Sequence, residues 1–159
     1  MITDVEIIAI FNREFADLKT VLIGGKDEPL YLPDKGEGAI LYFRADYVAS
    51  ALHEISHWCI AGTKRLQLED FGYWYIPDGR SQEEQNAFYS HEVKPQALEW
   101  IFCDALHLPF NISADNLLGD GQGALEKFKN NVAEQKAHYL ASGMPPRAKR
   151  FLQALALKL

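Results

Sequence analysis

The tightest constraint on this chain is a five-residue run, His53-Glu54-Ile55-Ser56-His57, set in a stretch of helical periodicity. Val48, Ala49, Leu52, Ile55, Cys59 and Ile60 recur three to four residues apart. That spacing predicts a helix over Ala45–Ala61, with Gly62 as its C′ stop. Residues i and i+4 share one helical face, so both imidazoles reach a single metal ion. Glu54 is turned by about 100° from His53. It stands beside such an ion as a base and is poorly placed as a ligand. Any fold for this sequence must bury one face of this helix and leave the histidine face accessible.

The remaining pattern supplies elements to pack against that helix. Thr3–Lys19 reads as a helix, with Thr3 and Glu6 as a capping box and Ile7, Ile8, Phe11, Phe15 and Leu18 as its apolar stripe. Thr20–Ile23, Leu30–Leu32 and Ala39–Phe43 read as short strands separated by Gly24-Gly25-Lys26 and Pro33-Asp34-Lys35-Gly36. Phe71–Ile76 is an aromatic and apolar run that ends in the turn Pro77-Asp78-Gly79. Helices are expected over Ser81–Tyr89, Pro95–Leu106 with the proline at its start, Ala124–Ala141 and Pro146–Leu157. The fold class is therefore α+β. One compact domain over residues 1–159 is expected, a small β-sheet flanked by helices with the His53-Glu54-Ile55-Ser56-His57 helix at its centre.

At 159 residues and with 48% hydrophobic and 24% charged residues, the chain is sized for one ordinary globular core. Its net charge of −6 argues against a generic phosphate-gripping DNA binder. The charge is uneven: residues 121–159 carry seven basic and two acidic side chains, the rest nine and twenty. A solvated basic helix face explains this most simply, and docking to an acidic partner or an RNA backbone is the alternative. No apolar run is long enough to span a membrane, and the first eleven residues, with Asp4 and Glu6, do not form a secretory signal. Cytoplasmic residence is expected, with Cys59 and Cys103 as buried thiols.

Two histidines do not hold a catalytic metal alone. Glu99 is the expected third ligand, because it lies on a largely apolar helix where a carboxylate needs a partner. Glu92 is the second choice. Two histidines and a carboxylate suit Zn²⁺ in a hydrolase, with Glu54 activating water. They equally suit Fe(II), with positions left for O₂ and substrate. Tyr73 and Trp74, in the run Phe71-Gly72-Tyr73-Trp74-Tyr75, could either pack in a core or line a pocket for a long cation. Gly119–Gly123 reads as a turn, and Asp115–Glu126 lacks the glycine that a calcium loop of its length requires.

Three segments together, His53-Glu54-Ile55-Ser56-His57-Trp58, Asp70-Phe71-Gly72-Tyr73-Trp74-Tyr75 with Pro77-Asp78-Gly79-Arg80, and Glu92-Val93-Lys94-Pro95-Gln96-Ala97-Leu98-Glu99-Trp100, resemble the bacterial elongation factor P hydroxylase family. The resemblance is clearest over residues 45–120. It implies a cytosolic iron-dependent monooxygenase with a metallohydrolase-like fold rather than a jelly roll. It also implies a substrate, elongation factor P carrying a β-lysyl group on its target lysine, and O₂ as the oxidant. Direct nucleic-acid binding and membrane association are not expected. By the same resemblance Fe(II) sits on His53, His57 and Glu99, with Glu92 in the same matching segment; on residue chemistry, Glu54 would orient a water or relay a proton and Tyr73 and Trp74 would contact the substrate's long cation. The basic C-terminal helices would meet the partner's surface. A small zinc-dependent metallopeptidase is the main alternative, since the five-residue motif alone suits both.

Overall fold

The structure, a computed structural model, describes residues 1–45, 47–70, 82–113 and 122–158, with the side chains at 82–89, 122 and 158 left aside. It is α+β, as expected: α1 (Asp4–Glu14), β1 (Thr20–Lys26), β2 (Leu30–Leu32), β3 (Ala39–Arg44), α2 (Val48–Ile60), α3 (Gln82–Ala105), α4 (Gln122–Ser142) and α5 (Pro146–Lys158). The chain divides into two units, residues 1–72 with 145–159, and residues 73–144. The aromatic run Phe71–Ile76 and the turn at Pro77-Asp78-Gly79 lie outside the described residues, as does most of the Gly119–Gly123 turn.

In the first unit the three strands form a sheet in the order β1-β3-β2, with β1 parallel and β2 antiparallel to β3. β3 alternates as an inward and outward strand should: Ala39, Leu41 and Phe43 are buried while Ile40 and Tyr42 are partly exposed. The outer edge of β1 is covered by α1, whose Asn12 side chain accepts a hydrogen bond from Leu22 N at 2.7 Å. On the β2 side, Tyr31 and Asp70 exchange backbone hydrogen bonds. The register of β1 shifts at Gly24-Gly25. Gly24 lies against the Phe43 ring so closely that a Cβ there would stand 2.5 Å from Cζ.

Helix α1 begins as its capping residues predict, with Thr3 Oγ1 accepting from Glu6 N at 3.2 Å. It stops at Glu14, earlier than the apolar periodicity suggests. A single 3₁₀ turn, Ala16–Leu18, follows, and Lys19 in the left-handed region (φ 51°) then turns the chain into β1. α1, α2 and α5 meet in an aromatic cluster. Phe11 lies 4.8 Å from Phe15, 5.0 Å from Trp58 and 6.2 Å from Phe151, and Phe15 lies 4.7 Å from Trp58, all between ring centroids. Edge-on pairs of this kind each add about 0.5–1.5 kcal/mol beyond their buried area. Since Trp58 directly follows His57, the cluster holds the end of the motif-bearing helix.

In the second unit α3 packs on α4. The sequence predicts two helices here, Ser81–Tyr89 and Pro95–Leu106. The structure has one 24-residue helix with Pro95 inside it. An internal proline removes one helical hydrogen bond and costs about 3 kcal/mol. Pro95 and the run Gln96–Glu99 after it are buried, as are Ile101, Phe102 and Cys103. The packing of that continuous face offsets the local penalty. α3 ends with His107 in the left-handed region, Leu106 N bonding back to Phe102 O and Leu108 N to Cys103 O.

Candidate metal centre

Along α2, Ala51, Leu52, Ile55, Ser56, Trp58 and Cys59 are buried, whereas His53, Glu54 and His57 are only half-buried. The sequence periodicity does this directly: the apolar positions turn toward α1 and β3, which leaves the histidine face the least enclosed. The two imidazole rings lie 4.8 Å apart between centroids with their planes at 68°. They therefore stand as neighbours one turn apart, as two ligands to one ion must.

What holds the end of α2 was not visible in its own segment. The expected left-handed glycine stop at Gly62 is absent. Ala61 leaves the helix in an extended conformation (φ −57°, ψ 130°), so a Schellman turn does not satisfy the last carbonyls. Arg147, on α5, does so instead. Its guanidinium donates to Trp58 O at 2.8 Å, to Cys59 O at 3.4 Å and to Ala61 O. It also stacks over the Trp58 ring at 4.8 Å. A cation at a helix C-terminus complements the helix dipole and satisfies its last carbonyls. Beside it a cavity of about 310 Å³ is lined by Arg147, Trp58, Tyr31 and Asp34 among others.

On α3, Glu92, Gln96, Glu99 and Cys103 recur at i, i+4, i+7 and i+11, and all four are buried. Gln96 links Glu92 to the segment after the helix: its Nε2 donates to Glu92 Oε1 at 3.4 Å and to Ser113 O at 2.5 Å, while its Oε1 accepts from Ser113 N at 3.0 Å. Burial, with the nearby negative charges of Glu99 and Asp104, pushes the Cys103 thiol up to about 12. Burial likewise raises the Cys59 thiol.

His53 and His57 on α2, and Glu92 on α3 in the second unit, each offer one donor atom of a kind that binds metal ions. Glu99, the carboxylate expected from the sequence, is buried on the same helix. Glu92 and Glu99 are two turns apart on the same face of α3, roughly 10 Å along its axis. Tyr73 and Trp74 lie outside the described residues. Gln96 and Arg147 were missed by sequence reasoning. Gln96 carried a weak signal, an amide four residues from a buried carboxylate, and Arg147 carried none, because its partners are backbone carbonyls 86 to 89 residues away.

The basic C-terminal region is less available than its composition suggests. Arg150 is bound to Glu14 and Asp17, Lys136 to Asp104 at 2.6 Å, and Lys129 lies 3.8 Å from Glu126. Much of the positive charge on α4 and α5 is thus directed at the chain's own carboxylates and carbonyls.

Comparison with known proteins adds what geometry alone does not. Residues 10–158 match the family described as elongation factor P hydroxylase. A protein of Haemophilus influenzae named elongation factor P lysine hydroxylase is 50% identical over 153 residues, covering 94% of this chain and 85% of its own length.

Proposed function

This chain belongs to the elongation factor P hydroxylase family, and we propose that it hydroxylates the β-lysyl-lysine side chain of elongation factor P as an Fe(II)-dependent monooxygenase. The likeness to the Haemophilus influenzae hydroxylase carries this reading. The match runs through both structural units, which supports taking residues 1–159 as one catalytic domain. No helix among the described residues is long and apolar enough to cross a membrane. Residence in the cytoplasm, where a translation factor is met, is part of the proposal.

The donor chemistry fits iron. Two imidazoles and one carboxylate are the ligand set of non-haem Fe(II) oxygenases, and they leave positions open for O₂ and substrate. When bound, Fe(II) supplies the redox chemistry that hydroxylating an unactivated carbon requires, which Zn²⁺ lacks. In this proposal His53 and His57 bind the ion and Glu92 is the carboxylate ligand, in place of Glu99. Glu54 orients water or holds a proton at its carboxylate beside the histidines. Tyr73 and Trp74 are assigned to the substrate's long cationic chain on their chemistry alone, because an aromatic face attracts an ammonium group.

The test is an intact-mass assay of elongation factor P bearing β-lysyl-lysine, incubated with this protein, Fe(II), a reductant and O₂. Gain of one oxygen atom is expected, abolished by His53→Ala. No gain with iron bound would reject the substrate. Cleavage of the substrate into peptides would instead install the zinc peptidase reading. In parallel, Glu92→Ala is expected to lose bound iron while Glu99→Ala retains it, and the reverse result would restore Glu99 as the ligand.

A further inference from the structure

Within the second unit, Gln96 is fully buried, and among the described residues its amide hydrogen-bonds with Glu92 and Ser113. Ser113 presents a peptide-like pair, a carbonyl and an N–H, and the Gln96 amide pairs with both. That double bond decides which way the amide faces. Oε1 must point at the Ser113 N–H, so Nε2 is the atom left toward Glu92. Reversing the amide would set Nε2 against the Ser113 N–H and the amide oxygen against both the Ser113 carbonyl and a carboxylate. The 3.4 Å bond to Glu92 Oε1 is long on its own, but the fixed amide makes it directional.

We propose that Gln96 is a positioning residue for the metal. Held by the Ser113 backbone, it donates to Glu92 Oε1 and so fixes the rotamer of the carboxylate and favours its binding the ion through the other oxygen. This rests on the reading of Glu92 as a ligand. The chemistry is general: ligating carboxylates are themselves hydrogen-bonded, and loss of such a partner lowers metal affinity by about 10–100-fold. A carboxylate on a buried helix face has few rotamers, but the torsion about its last bond is broad, and a fixed donor restrains the orientation of the carboxylate plane. The same amide ties the segment ending at Ser113 to the helix that bears Glu92. Displacement of that segment would therefore register at the carboxylate.

The experiment is a double-mutant cycle read as the dissociation constant for Co(II), measured by chelator competition in the full-length protein without substrate, together with the Co(II) absorption spectrum. Glu92→Ala is expected to weaken Co(II) binding strongly, and no change would overturn the ligand reading and this inference with it. Gln96→Met is expected to weaken binding at least 10-fold in the wild-type background and to alter the ligand-field bands. In the Glu92→Ala background it should have almost no further effect. A merely structural role would weaken binding equally in both backgrounds, and that result, or no effect in either, would overturn the inference while leaving Glu92 as a ligand. If Gln96→Met does not fold, as judged by circular dichroism, Gln96→Asn carries the same cycle, because it keeps the amide but withdraws it by one methylene.

Discussion

At the scale of single residues, chemistry and packing are written with different legibility. His53 and His57 could be paired from sequence because one helical turn sets their spacing, and their rings are indeed neighbours. The carboxylate could not be fixed. Glu92 and Glu99 fall on one face of the same helix, and periodicity is blind to position along an axis. Gly24 shows the opposite situation, a residue whose turn-like appearance hides a packing requirement. The Phe43 ring occupies the space a side chain would need, with Cζ, Cε2 and Cε1 at 2.5, 2.9 and 3.0 Å from an added Cβ. Phe43 is fully buried and has little room to withdraw. Gly24→Ala is therefore expected to destabilise the protein by about 1–3 kcal/mol, the usual cost of overpacking. A urea midpoint unchanged from wild type would contradict this.

At the scale of elements, the helices and strands of the first unit were legible to within a few residues, and the miss at Pro95 is instructive. Proline is a local signal, and at the start of an apolar stretch it reads as a helix beginning. A buried face that runs on from Glu92 to Cys103 is a tertiary fact, and it prevails. The end of α2 was misjudged for a related reason. A glycine suggested a local stop, but the carbonyls are satisfied from α5. Arg147→Met should therefore loosen the last turn of α2 although the residue lies far away in sequence. Hydrogen bonds to a charged group are each worth roughly 1.5–3 kcal/mol, and loss of the whole set is expected to cost about 2–3 kcal/mol because the freed carbonyls regain some water. Hydrogen exchange at Ala61 N, which bonds to His57 O, reports this locally. Unaltered protection at that amide in the variant would show that α2 does not depend on the cap.

At the scale of the molecule, the two extremities of the first unit are joined by charge. Arg150 on α5 donates to Asp17 Oδ1 at 2.8 Å, to Glu14 Oε1 at 3.1 Å and to the Glu14 carbonyl, and its guanidinium stacks over Phe15. The hydrogen bond from Arg150 holds the Asp17 carboxyl below its ordinary value. A depressed carboxyl stabilises the fold at pH above its unfolded value, about 3.9, and that contribution disappears as pH falls through the folded value. The melting temperature of Asp17→Asn should accordingly lie below wild type near pH 6, and the gap should close on acidification toward pH 3. A gap that is constant over this range would mean that the pair's charge contributes nothing.

The discontinuity of the first unit also sets an order of events. A ribosome makes residues 73–144 as an uninterrupted block, but residues 1–72 must wait for 145–159 before their packing is complete. The histidine helix leaves the ribosome early, while the arginine that closes its end and Phe151 of its aromatic cluster come almost a hundred residues later. Contacts so distant in sequence form late and slowly. The histidine helix is thus an early product of synthesis whose final anchoring is among the last, so the nascent chain passes through translation with its histidines already made and their support still to come.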